Sequence, residues 1–117
     1  MLSPGQDLPT LLPEDLARQW PTLGQGGVLL DIREPWETEV APLRPENMPV
    51  RHIPMGELPQ HLEALLQLPF VVCFCHHGVR SAQVVAWLAR HGHTSVYNLA
   101  GGTDRWSLRV DPGVPRY

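Results

Sequence analysis

The chain has 117 residues, 43 % of them hydrophobic, with four Trp to fill a core, which suits a single domain over residues 1–117. A net charge of −3 gives no basic footprint for nucleic acid, and no apolar stretch approaches membrane-spanning length. The two cysteines lie too close along one strand for a relaxed disulfide and no secretion pattern opens the chain, so a reduced, cytoplasmic protein is expected.

Residues 1–9 are polar, carry Pro and Gly, and read as a loose lead-in. Residues 13–20 read as a short helix, with Pro13 at its first position, Glu14 and Asp15 complementing its dipole, and Pro21 ending it. A glycine-rich turn over residues 24–27 leads into an apolar strand over residues 28–32. Asp31, Arg33, Glu34 and Glu37 cluster at the end of that strand, with Trp36 among them. Such a cluster is either a solvated loop, with ion pairs worth about 0–1 kcal/mol each, or part of the crevice beyond the carboxyl ends of a parallel sheet. Pro42, Pro45 and Pro49 make residues 41–49 a loop, and residues 50–53 a short strand that Pro54 ends. Leu58, Leu62, Leu65 and Leu66 follow helical spacing, which predicts a helix over residues 59–68 with His61 on its polar side.

Residues 70–74 form a continuous apolar run, the pattern of a strand buried on both faces of a parallel sheet, so Cys73 within it reads as core. Residues 81–90 read as a helix with Val84, Val85 and Leu88 on one side and Gly92 as its cap. Between them runs Cys75-His76-His77-Gly78-Val79-Arg80-Ser81. A cysteine thus sits where a buried strand gives way to a helix, with a glycine in the turn. Backbone N–H groups converge in such a turn, and the helix N-terminus adds partial positive charge. A thiol there loses its proton easily, and the thiolate is the nucleophile.

Cys75 is therefore the candidate nucleophile, and His76, His77, Gly78, Val79, Arg80 and Ser81 are the candidate anion-binding loop. His76 and His77 stand open between greeting an anionic donor and lying solvated in the turn. Arg80 either faces the site or ties the loop to a carboxylate such as Asp31. Adjacent positions on a strand and tight turn do not present tetrahedral ligands, so zinc held by Cys73, Cys75, His76 and His77 fails on geometry. No metal or cofactor is expected.

Residues 95–98 read as a further strand and residues 103–108 as a helical turn or two. Residues 110–117 read as an extended, irregular tail lying along the body through its apolar ends. Alternating strands and helices imply an α/β fold, a mostly parallel central sheet flanked by helices. Asp31, Cys75 and Asn98 would then share one rim.

Three segments, in order, resemble the single-domain rhodanese-like sulfurtransferases. They are Leu29-Leu30-Asp31-Ile32-Arg33-Glu34-Pro35-Trp36-Glu37, the loop from Cys75 to Ser81 in the form C-x-x-G-x-R-S, and Leu99-Ala100-Gly101-Gly102 with Trp106 beyond it. The chain departs from the family at Pro45-Glu46-Asn47-Met48-Pro49-Val50, where many members carry Gly-His-Ile-Pro-Gly-Ala; only His52-Ile53-Pro54 resembles the family's next few residues. The resemblance implies a three-layer rhodanese-like fold, with Asp31 and Arg33 in support of the site. It also implies that Cys75 takes sulfane sulfur from thiosulfate or a small persulfide and holds it as a persulfide. The sulfur then passes to a thiol or protein acceptor, or to cyanide in vitro. Two other readings stand beside it. A non-catalytic rhodanese-like partner-binding module is disfavoured by the presence of Cys75. A cysteine phosphatase or arsenate reductase is disfavoured by loop length, since the phosphatases that resemble this fold carry one residue more between Cys and Arg.

Overall fold

The computed structural model describes residues 9–22 and 26–117, so most of the expected lead-in and part of the turn before the second strand lie outside the described residues. One sheet runs β1-β5-β4-β2-β3, with every pair parallel. Its strands are β1 (Thr10–Leu11), β2 (Val28–Asp31), β3 (Val50–His52), β4 (Val71–Phe74) and β5 (Val96–Leu99). The helices are α1 (Pro13–Gln19), α2 (Pro35–Val40), α3 (Leu62–Leu66), α4 (Val79–Arg90) and α5 (Gly102–Arg109).

The two runs read as buried strands, β2 and β4, are buried along their whole length and lie side by side at the centre of the sheet. Their side chains alternate between two cores. Val28, Leu30, Val71 and Cys73 pack with Leu65 of α3 and Val84, Val85 and Leu88 of α4. Leu29, Val72 and Phe74 pack on the other face with Leu16 of α1 and Trp106 of α5. The result is a three-layer α/β fold. From β2 the chain winds outward to β3, then returns across β2 to β4 and winds the other way to β5. Such a reversal opens a crevice beyond the carboxyl ends of the strands on either side of it.

Several expectations need correction. The segment after Asp31, which the sequence leaves open between a solvated loop and part of the crevice, holds α2, whose start is closed by a capping box in which Glu34 and Glu37 satisfy each other's amides. The expected helix over residues 59–68 begins as a 3₁₀ helix, Met55–His61, and becomes α-helical only over Leu62–Leu66. Pro59 inside that stretch has no amide hydrogen for an α-helical bond, and the tighter turns take its place. Helix α1 likewise passes into a 3₁₀ turn, Trp20–Thr22, at Pro21. Pro9 is not part of a loose lead-in, because its carbonyl accepts a hydrogen bond from the Asn98 amide at 2.8 Å. It leads into β1, an edge strand the apolar pattern did not mark. Residues 111–117 hold no helix or strand, and Val114 packs into the core beside α5.

Candidate active site

Strand β4 delivers Cys75 to the rim between β2 and β5, and Gly78 turns the chain into α4. Gly78 has φ +98°, a left-handed conformation that glycine adopts without the usual steric cost. The turn brings two amides onto the sulfur: Gly78 N–H at 3.2 Å and Ser81 N–H at 3.4 Å from Cys75 Sγ. Ser81 Oγ lies 3.4 Å from the same sulfur.

Asn98 at the end of β5 holds this turn from below. Its Nδ2 donates to the Gly78 carbonyl at 3.0 Å, so its Oδ1 is free to accept, and the Ser81 hydroxyl donates to it. With the thiol protonated, the Ser81 hydroxyl proton is thus committed to Asn98, and Ser81 Oγ can accept the S–H. The two amides, whose protons cannot turn away, are the standing donors to a thiolate. The carbonyls on the other side of the loop are satisfied by α5: Thr103 N–H donates to Cys75 O at 3.0 Å and Asp104 N–H to His76 O at 3.1 Å. Gly102 permits this approach, since a Cβ there would overlap the carbonyls of Cys75 and His76.

Cys75 is 1 % exposed. Burial pushes its thiol up, but the hydrogen bonds from Ser81 and Gly78, with the Arg80 charge, outweigh burial and bring it below the ordinary value. Cys73 is fully buried in the core, and burial together with the neighbouring Cys75 drives its thiol far above the usual range. The two cysteines are therefore chemically distinct although only one residue separates them.

Arg80 does not reach Asp31. Its guanidinium forms a two-pronged pair with Glu37 of α2, Nη1 to Oε2 and Nη2 to Oε1, each 2.8 Å. Asp31 is already taken. Arg33 donates to it through Nε at 2.9 Å, Nη2 at 2.8 Å and its own amide at 3.0 Å, and Thr38 Oγ1 adds a fourth bond at 2.9 Å. Asp31 and Arg33 are both buried, so they form an internal ion pair under the rim rather than a substrate contact. Burial opposes the Arg33 charge, and the bonds to Asp31 and Tyr117 more than compensate. Glu37 is held down to about 2, chiefly by Arg80.

The two histidines part company. His76 lies between two rings, His77 at 4.0 Å and Tyr117 at 3.9 Å centroid to centroid, while His77 is exposed. Burial and the neighbouring His77 lower the His76 pKa, so it is neutral near pH 7. Val79 is 71 % exposed at the start of α4. Three residues of the site carry no role on sequence grounds: Glu37 is one of several acids in a cluster, Asn98 only a strand end, and Tyr117 only part of an apolar tail. Among the described residues no cluster of His, Cys, Asp and Glu could hold a metal ion.

A thiol at the carboxyl end of the central strand, met by the amides of a glycine turn and a helix start, lies at the rim of an α/β domain. The rhodanese-like domain model matches residues 14–109, and the chain belongs to that family. It is 39 % identical over 90 residues to Rhodanese-like/PpiC domain-containing protein 12, chloroplastic, of Arabidopsis thaliana, which covers 76 % of this chain and 30 % of that protein. It is 29 % identical over 113 residues to the probable adenylyltransferase/sulfurtransferase MoeZ of Mycobacterium tuberculosis, covering 92 % of this chain and 27 % of that one. The chain thus spans less than a third of either relative. A rhodanese-like domain protein from Staphylococcus aureus superposes with a TM-score of 0.72 at 24 % identity, over 94 % of this chain and 99 % of that one, which establishes the shared fold.

Proposed function

We propose that this chain is a sulfurtransferase that carries sulfane sulfur as a persulfide on Cys75. The observation that carries this reading is the pair of amide donors, Gly78 and Ser81, on the Cys75 sulfur. In the first half-reaction the Cys75 thiolate attacks the outer sulfur of thiosulfate. A new S–S bond forms, the old one breaks, and sulfite leaves with the electron pair. A small persulfide donor would react in the same way and release a thiolate. In the second half-reaction an acceptor thiolate, or cyanide in an assay, attacks the outer sulfur and Cys75 leaves as thiolate. The transfer is covalent and proceeds in two steps, so ping-pong kinetics are expected. The amides of the turn stabilise the anion at each stage, and such fixed donors are worth about 3–4 kcal/mol each where oxyanion holes have been dissected. Arg80 keeps positive charge beside the site while Glu37 holds it in place. His77, exposed and unstacked on its outer face, is the histidine available to an arriving anion.

The acceptor is a small thiol or a thiol on another protein, and a cysteine that works as a free thiolate suits the reducing cytoplasm. Among the described residues no helix is long and apolar enough to cross a membrane. The test is a thiosulfate:cyanide assay beside hydrolysis of p-nitrophenyl phosphate. Sulfur transfer that disappears in Cys75→Ser supports the reading. Phosphate hydrolysis that depends on Cys75, without sulfur transfer, overturns it.

A further inference from the structure

Segment 111–117 returns across the molecule and places Tyr117 against the active-site loop, far from it in sequence. The Tyr117 hydroxyl accepts a hydrogen bond from Arg33 Nη1 and donates one to Glu37 Oε1, both 3.1 Å. Those partners are themselves fixed. Arg33 is clamped on Asp31, and Glu37 is clamped by Arg80. The hydroxyl is therefore held between two fixed groups, and it sets the ring. The ring lies flat on His76, 3.9 Å away with an interplanar angle of 9°, and His77 closes the other side of the imidazole. Trp36 meets the outer edge of Tyr117 at 5.9 Å.

His76 comes directly after the nucleophile. Its Nε2 is buried with no hydrogen-bond partner among the described residues, so no polar contact from them to that atom orients the ring. Stacking is what holds it. A free His76 would turn Nε2 toward water and pull against the α5 and Asn98 bonds that hold the loop, loosening the aim of the Gly78 and Ser81 amides at the sulfur. From this geometry we infer that Tyr117 is a positioning residue of the active site: its anchored ring braces His76, and through it the amide turn that faces Cys75. The inference deepens the sulfurtransferase reading and rests on it only for the activity measurement. The charged and titratable groups that face His76 are His77, Asp104, Glu37 and Arg80, with Tyr117 itself; Tyr117→Leu and Tyr117→Phe both remove the hydrogen bond on Glu37, so the difference between the two variants reports the ring alone.

Two full-length variants test it. Tyr117→Leu keeps apolar bulk in the core beside α5 but removes the flat ring and the hydroxyl. Tyr117→Phe keeps the ring and removes the hydroxyl alone. Each is read by iodoacetamide alkylation of Cys75 across pH and by thiosulfate:cyanide kinetics. Tyr117→Leu is expected to move the alkylation midpoint upward and to lower kcat by up to roughly a hundredfold, the scale of a misplaced catalytic group. Tyr117→Phe is expected to restore most of both, because stacking persists. If Tyr117→Leu alkylates along the wild-type curve, the inference is overturned, whatever its stability. A shifted midpoint in a protein whose wild type transfers no sulfur would keep the brace and reject the reaction. Wild-type sulfur transfer with no shift in Tyr117→Leu would keep the reaction and reject the brace.

Discussion

The Gly78 amide points at the Cys75 sulfur from 3.2 Å, and the backbone that aims it has φ +98°. A Cβ at Gly78 would find ordinary contact distances, 3.4 Å to the Gly101 nitrogen and 3.5 Å to the Leu99 carbonyl. The cost of Gly78→Ala is thus the left-handed backbone alone, about 1–2 kcal/mol. Gly102→Ala is different, because its Cβ would overlap backbone carbonyls that cannot move without opening the loop. Urea denaturation should find Gly102→Ala several-fold more destabilised than Gly78→Ala. Equal losses would contradict the packing of α5 against the loop.

Asn98 carries the second prediction. Its amide donates to the Gly78 carbonyl; an aspartate in its place would keep the Ser81 hydroxyl on one oxygen but face that carbonyl with the other, lone pair against lone pair. Asn98→Asp should cost about 1–3 kcal/mol, the penalty for a buried group left without its partner. It should also raise the alkylation midpoint of Cys75, since negative charge near the turn opposes the thiolate. A midpoint equal to that of the unaltered protein would show that Asn98 does not hold the turn.

How much of the fold and site is legible in the sequence depends on distance along the chain. The Cys75 loop is contiguous, and its strand, glycine and helix start can each be read from neighbours. The two central strands announce themselves because burial on both faces leaves an unbroken apolar run. Helix α2 has only six residues, too few to show a helical period, and β1 only two. The partner of Arg80 is beyond reach for another reason. Asp31 and Glu37 are both acids near the same strand end, and only the fold reveals that Arg33 and Thr38 have already filled Asp31. Tyr117 joins the site from a segment without periodicity, and nothing local marks a ring that will stack on His76.

The Arg80–Glu37 pair sets a pH dependence. The folded Glu37 value of about 2 lies below its ordinary 4.5, so the pair's contribution is complete above the ordinary value. It drains away as pH falls from there toward about 2. The Arg80 side chain is 36 % exposed, so solvent screens the pair and about 1 kcal/mol is expected. Glu37→Gln should therefore be less stable than the unaltered protein at neutral pH, with the gap closing in acid. A gap that stays constant down the titration would mean that the carboxylate charge does not stabilise the fold.

Sulfur carriage on Cys75 can be read from the mass of the protein after mixing with thiosulfate and removal of excess reagent. One added sulfur atom is expected, located on Cys75, released by cyanide, absent in Cys75→Ser and retained in Cys73→Ala. A thiosulfate-treated protein of unchanged mass, or an added sulfur that maps to Cys73, would contradict a persulfide carried on Cys75.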